Sequence, residues 1–143
     1  MKPVLVHATT LDIAGCGLLL LGEPGAGKSD LALRLIADGA LLVSDDQTIV
    51  EARDGALHAS APSPIVGLIE ARGVGITRAP IKRATWLKLA VRLVDVAPER
   101  MPEPRTWSLP DSEKPSVPLV EMMPFEASAP AKLRATLALV PNA

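Results

Sequence analysis

Between Val4 and Ile13, β-branched residues interleave with polar ones, which predicts one or two β-segments. Leu18–Leu21 is a continuous apolar run between glycines, the pattern of a strand buried on both faces. From Lys28 the period changes. Leu31, Leu35 and Ile36 share one side of a helix, and Asp30, Arg34 and Asp38 repeat along the other. Gly39 is placed to end that helix in the left-handed conformation. Leu41–Ser44 is a second apolar strand that runs into Asp45 and Asp46. Strand, loop, helix and strand in this order close most naturally as a parallel crossover.

The pattern then shifts to antiparallel pieces. Thr48–Arg53 and Ala56–Ser60 flank Asp54-Gly55, a two-residue type I′ hairpin signal. In Ala84–Val96, Leu87, Leu89, Val91 and Leu93 alternate, predicting a longer strand with one solvated face. The six prolines of Pro98–Pro118 predict an irregular loop or lid. A short strand is expected at Val117–Met122. A last helix should start near Pro130, with Ser128 or Ala129 at its cap and Leu133, Leu137 and Val140 as its stripe. The fold class is therefore α/β with a mixed sheet.

Composition narrows the function. A chain of 143 residues is read as one domain, residues 1–143. Its aromatics are few (Trp86, Trp107 and Phe125), so the core must be aliphatic. Single-stranded nucleic acid, which needs stacking platforms, is a poor partner. Fifteen basic and sixteen acidic residues leave no footprint for a polyanion, so no nucleic-acid partner is expected. One cysteine, Cys16, excludes an internal disulfide and reads as a small hydrophobe. No secretory leader or membrane-length apolar run is visible, which makes the cytoplasm the expected compartment and a membrane partner unexpected.

The strongest chemical signal is the stretch Gly22-Glu23-Pro24-Gly25-Ala26-Gly27-Lys28-Ser29, which has the spacing G-x-x-x-x-G-K-[ST]. Glycines let successive backbone N–H groups turn inward around phosphate oxygens, and the following helix aims its positive end at them. In such loops the lysine, here Lys28, reaches the β- and γ-phosphates, and Ser29 binds Mg²⁺. Lys28 is expected at an exposed loop-to-helix junction. Asp45-Asp46 would begin an ordinary turn in another context. Beside this loop, one carboxylate suits metal-linked positioning and the other a general base. In Glu70-Ala71-Arg72-Gly73-Val74-Gly75-Ile76, the glycines read equally as a bulge, and Glu70 with Arg72 as a surface pair. His7 reads from its strand position as a partly exposed structural histidine, and His58 carries no assigned role.

Together these pieces resemble the catalytic domain of the HPr kinase/phosphorylase family. The resemblance rests on His7 with Leu11-Asp12-Ile13, on Gly22–Ser29, on Asp45-Asp46, and on Ile69–Ile76, which is similar to the signature L-E-x-R-G-x-G-I. It covers about residues 5–80. It implies a phosphate-loop (P-loop) kinase domain akin in architecture to phosphoenolpyruvate carboxykinase. It also implies transfer of the γ-phosphoryl of ATP to a serine of HPr, a phosphotransferase-system carrier, and self-association. Carried over, Lys28 holds the phosphates, Ser29 and Glu70 contact Mg²⁺, Asp46 takes the serine proton, and His7 assists beside the aspartates. Longer members carry a preceding N-terminal domain, so the resemblance implies a form without it. The family's arginine-rich stretch linked to dephosphorylation corresponds to Glu121–Glu126, which has no arginine, so kinase activity is expected to dominate over phosphorolysis. The competing readings are a P-loop phosphotransferase acting on a small molecule and a non-catalytic nucleotide-sensing module. Retention of both Asp46 and Glu70 speaks against the second.

Overall fold

The computed structural model describes residues 2–140. The expected Val4–Ile13 region divides at His7 into β1 (Val4–Val6) and β2 (Ala8–Ile13). They are followed by β3 (Cys16–Leu21), α1 (Lys28–Ala37), β4 (Leu41–Ser44), β5 (Thr48–Arg53) and β6 (Ala56–Ser60). A 3₁₀ turn at Ser63–Ile65 leads to β7 (Leu68–Ala71) and β8 (Gly75–Arg78). The chain then forms β9 (Ala84–Leu93), β10 (Arg105–Ser108), β11 (Ser116–Met122) and α2 (Ala129–Leu139). One mixed sheet has the order β1-β5-β6-β9-β3-β2-β4, with β11 parallel to β9 and β10 antiparallel to β11. β7 and β8 form a separate hairpin.

Two turns set this topology. Ala14 and Gly15 both take positive φ (52° and 87°) in the two-residue connection between β2 and β3. This is the backbone of a tight hairpin matched to strand twist. β2 therefore folds back between β3 and β4, antiparallel to both. β3 and β4 remain parallel across α1, as a crossover demands, but with a strand between them. Asp54 and Gly55 (φ 49° and 76°) make the second such turn, joining β5 to β6.

α1 ends where Gly39 (φ 105°) donates to Ile36 O and Ala40 N–H donates to Leu35 O, the paired bonds of a Schellman motif. Its buried face is Leu31, Ala32 and Leu35, with Lys28 at the start. α2 buries Ala129, Leu133 and Leu137, and Val140 caps its end rather than extending the stripe. Both helices cover one side of the sheet, where Leu11, Leu18, Leu20, Leu89 and Val91 meet them. A second cluster, with Leu19, Leu21, Val50, Leu57, Leu87 and Leu119, fills the opposite side. Aliphatic side chains such as these each stabilise the fold by roughly 1.5–3 kcal/mol when fully buried.

The prolines of residues 98–118 do not produce one long irregular lid. Residues 94–104 and 109–115 are irregular, but between and after them Arg105–Ser108 pairs with Ser116–Leu119 as a hairpin. Nor do Leu87, Leu89, Val91 and Leu93 share a face. The register shifts from Gly17↔Leu87 to Leu18↔Leu89, so Lys88 is an extra residue in β9. This bulge turns Leu87 into the second cluster and Leu89 into the first. A Cβ on Gly17 would lie 2.5 Å from the Trp86 carbonyl oxygen, so the bulge requires a glycine opposite it.

Candidate phosphate-transfer site

The C-terminal ends of β3 and β4 meet at one cleft of about 780 Å³. This size lies within the range of small-molecule sites. The loop after β3 turns through Gly25 (φ 82°) and Gly27 (φ 104°), and Ala26 N–H donates to Glu23 O at 2.9 Å. Gly27 is the N-cap of α1 and has no side chain to cap it; the first turn, Gly27 to Asp30, lines the cleft. Backbone N–H groups and the helix dipole are thereby directed to a common anion position.

Lys28 is not exposed, contrary to expectation. It is buried, and its ammonium donates to the carbonyls of Gly22 (2.6 Å) and Glu23 (3.2 Å), closing the loop on itself. Packing of α1 against the sheet draws the lysine stem inward while the head stays at the loop mouth.

Asp45 and Asp46 adopt different environments. Asp45 is buried; its Oδ1 accepts from Ser29 Oγ (2.7 Å) and Thr9 Oγ1 (2.9 Å), and its Oδ2 accepts from the Glu70 N–H (3.1 Å). Three segments distant in sequence are thus tied to one carboxylate. Asp46 is exposed on the cleft in the left-handed region (φ 66°), and its N–H donates to Thr9 Oγ1 at 3.0 Å. That backbone conformation turns Asp46 away from the direction of Asp45.

The β7–β8 hairpin forms the facing wall and brings Glu70, Arg72 and Ile76 to the cleft. Gly73 (φ 82°) lies in its turn, which Val74 N–H closes onto Ala71 O, and Gly75 (φ 121°) opens β8 opposite Ala71 with no shift of register. A Cβ on Gly25 would lie 3.9 Å from Arg72 Nη2, so the arginine reaches across to the phosphate loop. Gly22–Ser29, Asp45, Asp46 and Glu70 therefore converge on this end of the sheet. His7 does not line the cleft; it is exposed at the break between β1 and β2, two positions before Thr9. Thr9 was not legible as a site residue, because a threonine in an alternating strand carries no signal until Asp45 is beside it.

Ser29, Asp45, Asp46 and Glu70 present hard oxygen donors around one space, a donor set suited to Mg²⁺. Among the described residues no group of three His, Cys, Asp or Glu side chains could hold a metal ion alone. Mg²⁺ does not need one, since it takes one or two carboxylates together with phosphate and water oxygens.

A glycine-rich loop opening a helix, with acids at the end of the strand that follows that helix, defines an α/β phosphate-loop domain. The family model described as HPr Serine kinase C-terminal domain matches residues 1–104, and the chain belongs to that family. It is 42% identical over 71 residues to the HPr kinase/phosphorylase of Clostridium botulinum strain Eklund 17B, a stretch covering 50% of this chain and 23% of that protein. The HPr kinase/phosphorylase of Clostridium novyi strain NT is 41% identical over 75 residues, 52% of this chain and 24% of that protein. The matched stretch thus spans about a quarter of these relatives' length. The solved structure of the Hpr(Ser) kinase/phosphatase from Coxiella burnetii superposes with a TM-score of 0.76 at 29% identity, covering 94% of this chain and 88% of that one. Among the described residues no helix is long and apolar enough to cross a membrane.

Proposed function

We propose that this chain is a Mg-ATP-dependent protein-serine kinase acting on an HPr-like phosphocarrier, working in the cytoplasm as a self-associating catalytic domain. The observation that carries this reading is the unequal pair: Asp45 buried under three donors, Asp46 exposed beside it in the same cleft. A non-catalytic nucleotide sensor needs the first of these but not the second.

In this mechanism the Gly22–Gly27 backbone and Lys28 hold the nucleotide's phosphates. Ser29 and Glu70 would hold Mg²⁺, which when bound supplies positive charge to the phosphate oxygens. Asp45 orients the Ser29 hydroxyl by accepting its proton in a hydrogen bond. Asp46, the group on the cleft free of that duty, takes the proton of the incoming serine hydroxyl as the γ-phosphoryl passes to its oxygen. His7 assists from outside the cleft lining, through the segment that carries Thr9, whose hydroxyl bonds both Asp45 and the Asp46 N–H. The test is to incubate the protein with labelled ATP, Mg²⁺ and purified HPr, or with a pool of small metabolites instead. Phosphoserine on HPr is the expected product. Label in the metabolite pool and none on HPr would overturn the assignment.

A further inference from the structure

A second cleft of about 730 Å³ lies on the other flank of the phosphate loop, and it shares Pro24, Gly25 and Phe125 with the first. Its remaining apolar wall includes Leu93, Val94 and Met123, and the acidic residues Glu23 and Asp95 line it, with Glu126 beside them paired to Lys132 at 3.2 Å. Phe125 is the unusual member. It is 66% exposed, a poor position for the only phenylalanine of the chain if packing were its task. Yet it is held in place closely. A Cβ on Gly27 would lie 2.8 Å from Phe125 Cζ and 3.1 Å from Pro124 Cγ, so the ring rests directly on the loop backbone.

The support comes from α1. Arg34 donates through Nη2 to the Pro124 carbonyl and through Nη1 to the Glu126 carbonyl at 3.2 Å, bracketing Phe125. Asp30 holds the same guanidinium from the preceding turn, at 2.9 Å. The planar fork of arginine suits this double donation, because it holds two donors at a fixed spacing that a compact ammonium does not. The helix that begins at the phosphate loop therefore also fixes the wall between the two clefts.

We propose that the second cleft takes the nucleobase of the nucleotide, with Phe125 as its stacking wall and Arg34 as the positioning residue that sets that wall. The inference rests on the nucleotide reading of the first cleft and adds where the base lies. A flat ring fits between an aromatic face and aliphatic side chains. Carboxylates at the rim accept hydrogen bonds from an exocyclic amine, which selects an amine-bearing base such as adenine.

The experiment compares binding of Mg-ATP and of inorganic tripolyphosphate to the wild-type protein, Phe125→Ala, Arg34→Lys and Lys28→Met. Phe125→Ala should weaken ATP roughly ten- to a hundredfold, the range for loss of one base–aromatic stack, and leave tripolyphosphate unchanged. Arg34→Lys should weaken ATP in the same selective way, and combining it with Phe125→Ala should add little further loss. Lys28→Met should weaken both ligands. Equal weakening of tripolyphosphate by Phe125→Ala, or unchanged ATP affinity, would overturn the base pocket while leaving the phosphate site standing. If the wild-type protein bound neither ligand, the nucleotide reading itself would be overturned, and the pocket assignment with it.

Discussion

Ser29 Oγ lies 2.7 Å from Asp45 Oδ1, joining the first turn of α1 to the end of β4. The same oxygen accepts from Thr9, and its partner oxygen accepts from the backbone of β7. Phosphate loop, acidic pair and signature hairpin are thereby held by one buried carboxylate.

Asp45→Asn and Asp46→Asn should separate cleanly. All three groups facing Asp45 are donors, and an asparagine amide would turn its own NH₂ toward at least one of them. Asp45→Asn should cost about 1–3 kcal/mol and lower Tm by several degrees. Asp46→Asn should keep Tm and ATP affinity, since asparagine tolerates the left-handed backbone, but cut phosphoryl transfer by roughly 10²–10⁴-fold. Thermal melts beside transfer rates decide it; equal loss of stability in both variants would refute the division.

Glu70→Gln should raise the Mg²⁺ concentration needed for half-maximal transfer while the hairpin survives. The bond to Asp45 comes from the Glu70 N–H, which the substitution leaves in place. A Mg²⁺ titration with an unchanged midpoint would remove Glu70 from the metal site.

Transfer to the carrier should run much faster than phosphorolysis. Bringing inorganic phosphate against phosphoserine places two anions together in a desolvated site, which needs positive charge beyond Lys28. Glu121–Glu126 supplies none, and Arg105 is paired with Glu121 at 3.5 Å. Arg72 is the arginine that lines the cleft. Pyrophosphate release from phosphoserine-carrier and millimolar phosphate is the measurement, and a rate matching the kinase reaction would contradict this expectation.

Stability should fall toward acid through two named groups. Burial alone would push the Asp12 carboxyl up. Hydrogen bonds from Thr85 and the Gly15 N–H, with the Lys82 ammonium, outweigh burial and hold it below its ordinary value of 3.8. A depressed carboxylate contributes stability that is complete above that value and is lost as pH falls through the folded-state pKa. His58 is lowered from 6.5 by burial and then by Arg53, partly offset by Glu51. Its folded form resists protonation, so its contribution is complete above 6.5 and declines as pH drops below it. Denaturant midpoints measured from pH 8 to pH 3 should fall in these two windows. His58→Gln should remove the upper slope, and Asp12→Asn the lower one.

Much of this protein is settled by local sequence. Gly39 can end α1 because glycine accepts φ 105°, and Asp54-Gly55 turns because both residues tolerate positive φ. The phosphate loop is legible for the same reason, since its chemistry depends on backbone conformation and on residues adjacent in the chain. Other features depend on contacts between segments far apart. Whether Ala14-Gly15 turns β2 back between β3 and β4 is decided by which apolar strand can be buried there. Pro118 reads as part of a loop, and Pro110 and Pro115 do lie in one, yet Pro118 stands in β11 opposite Thr106, just before the stretch from Leu119 that pairs parallel with β9. The bulge at Lys88 exists only because Gly17 leaves room for the Trp86 carbonyl. Thr9, Arg34 and Phe125 became visible as site residues for the same reason: each acts on a segment dozens of positions away, through a hydrogen bond or a ring contact that no local pattern encodes.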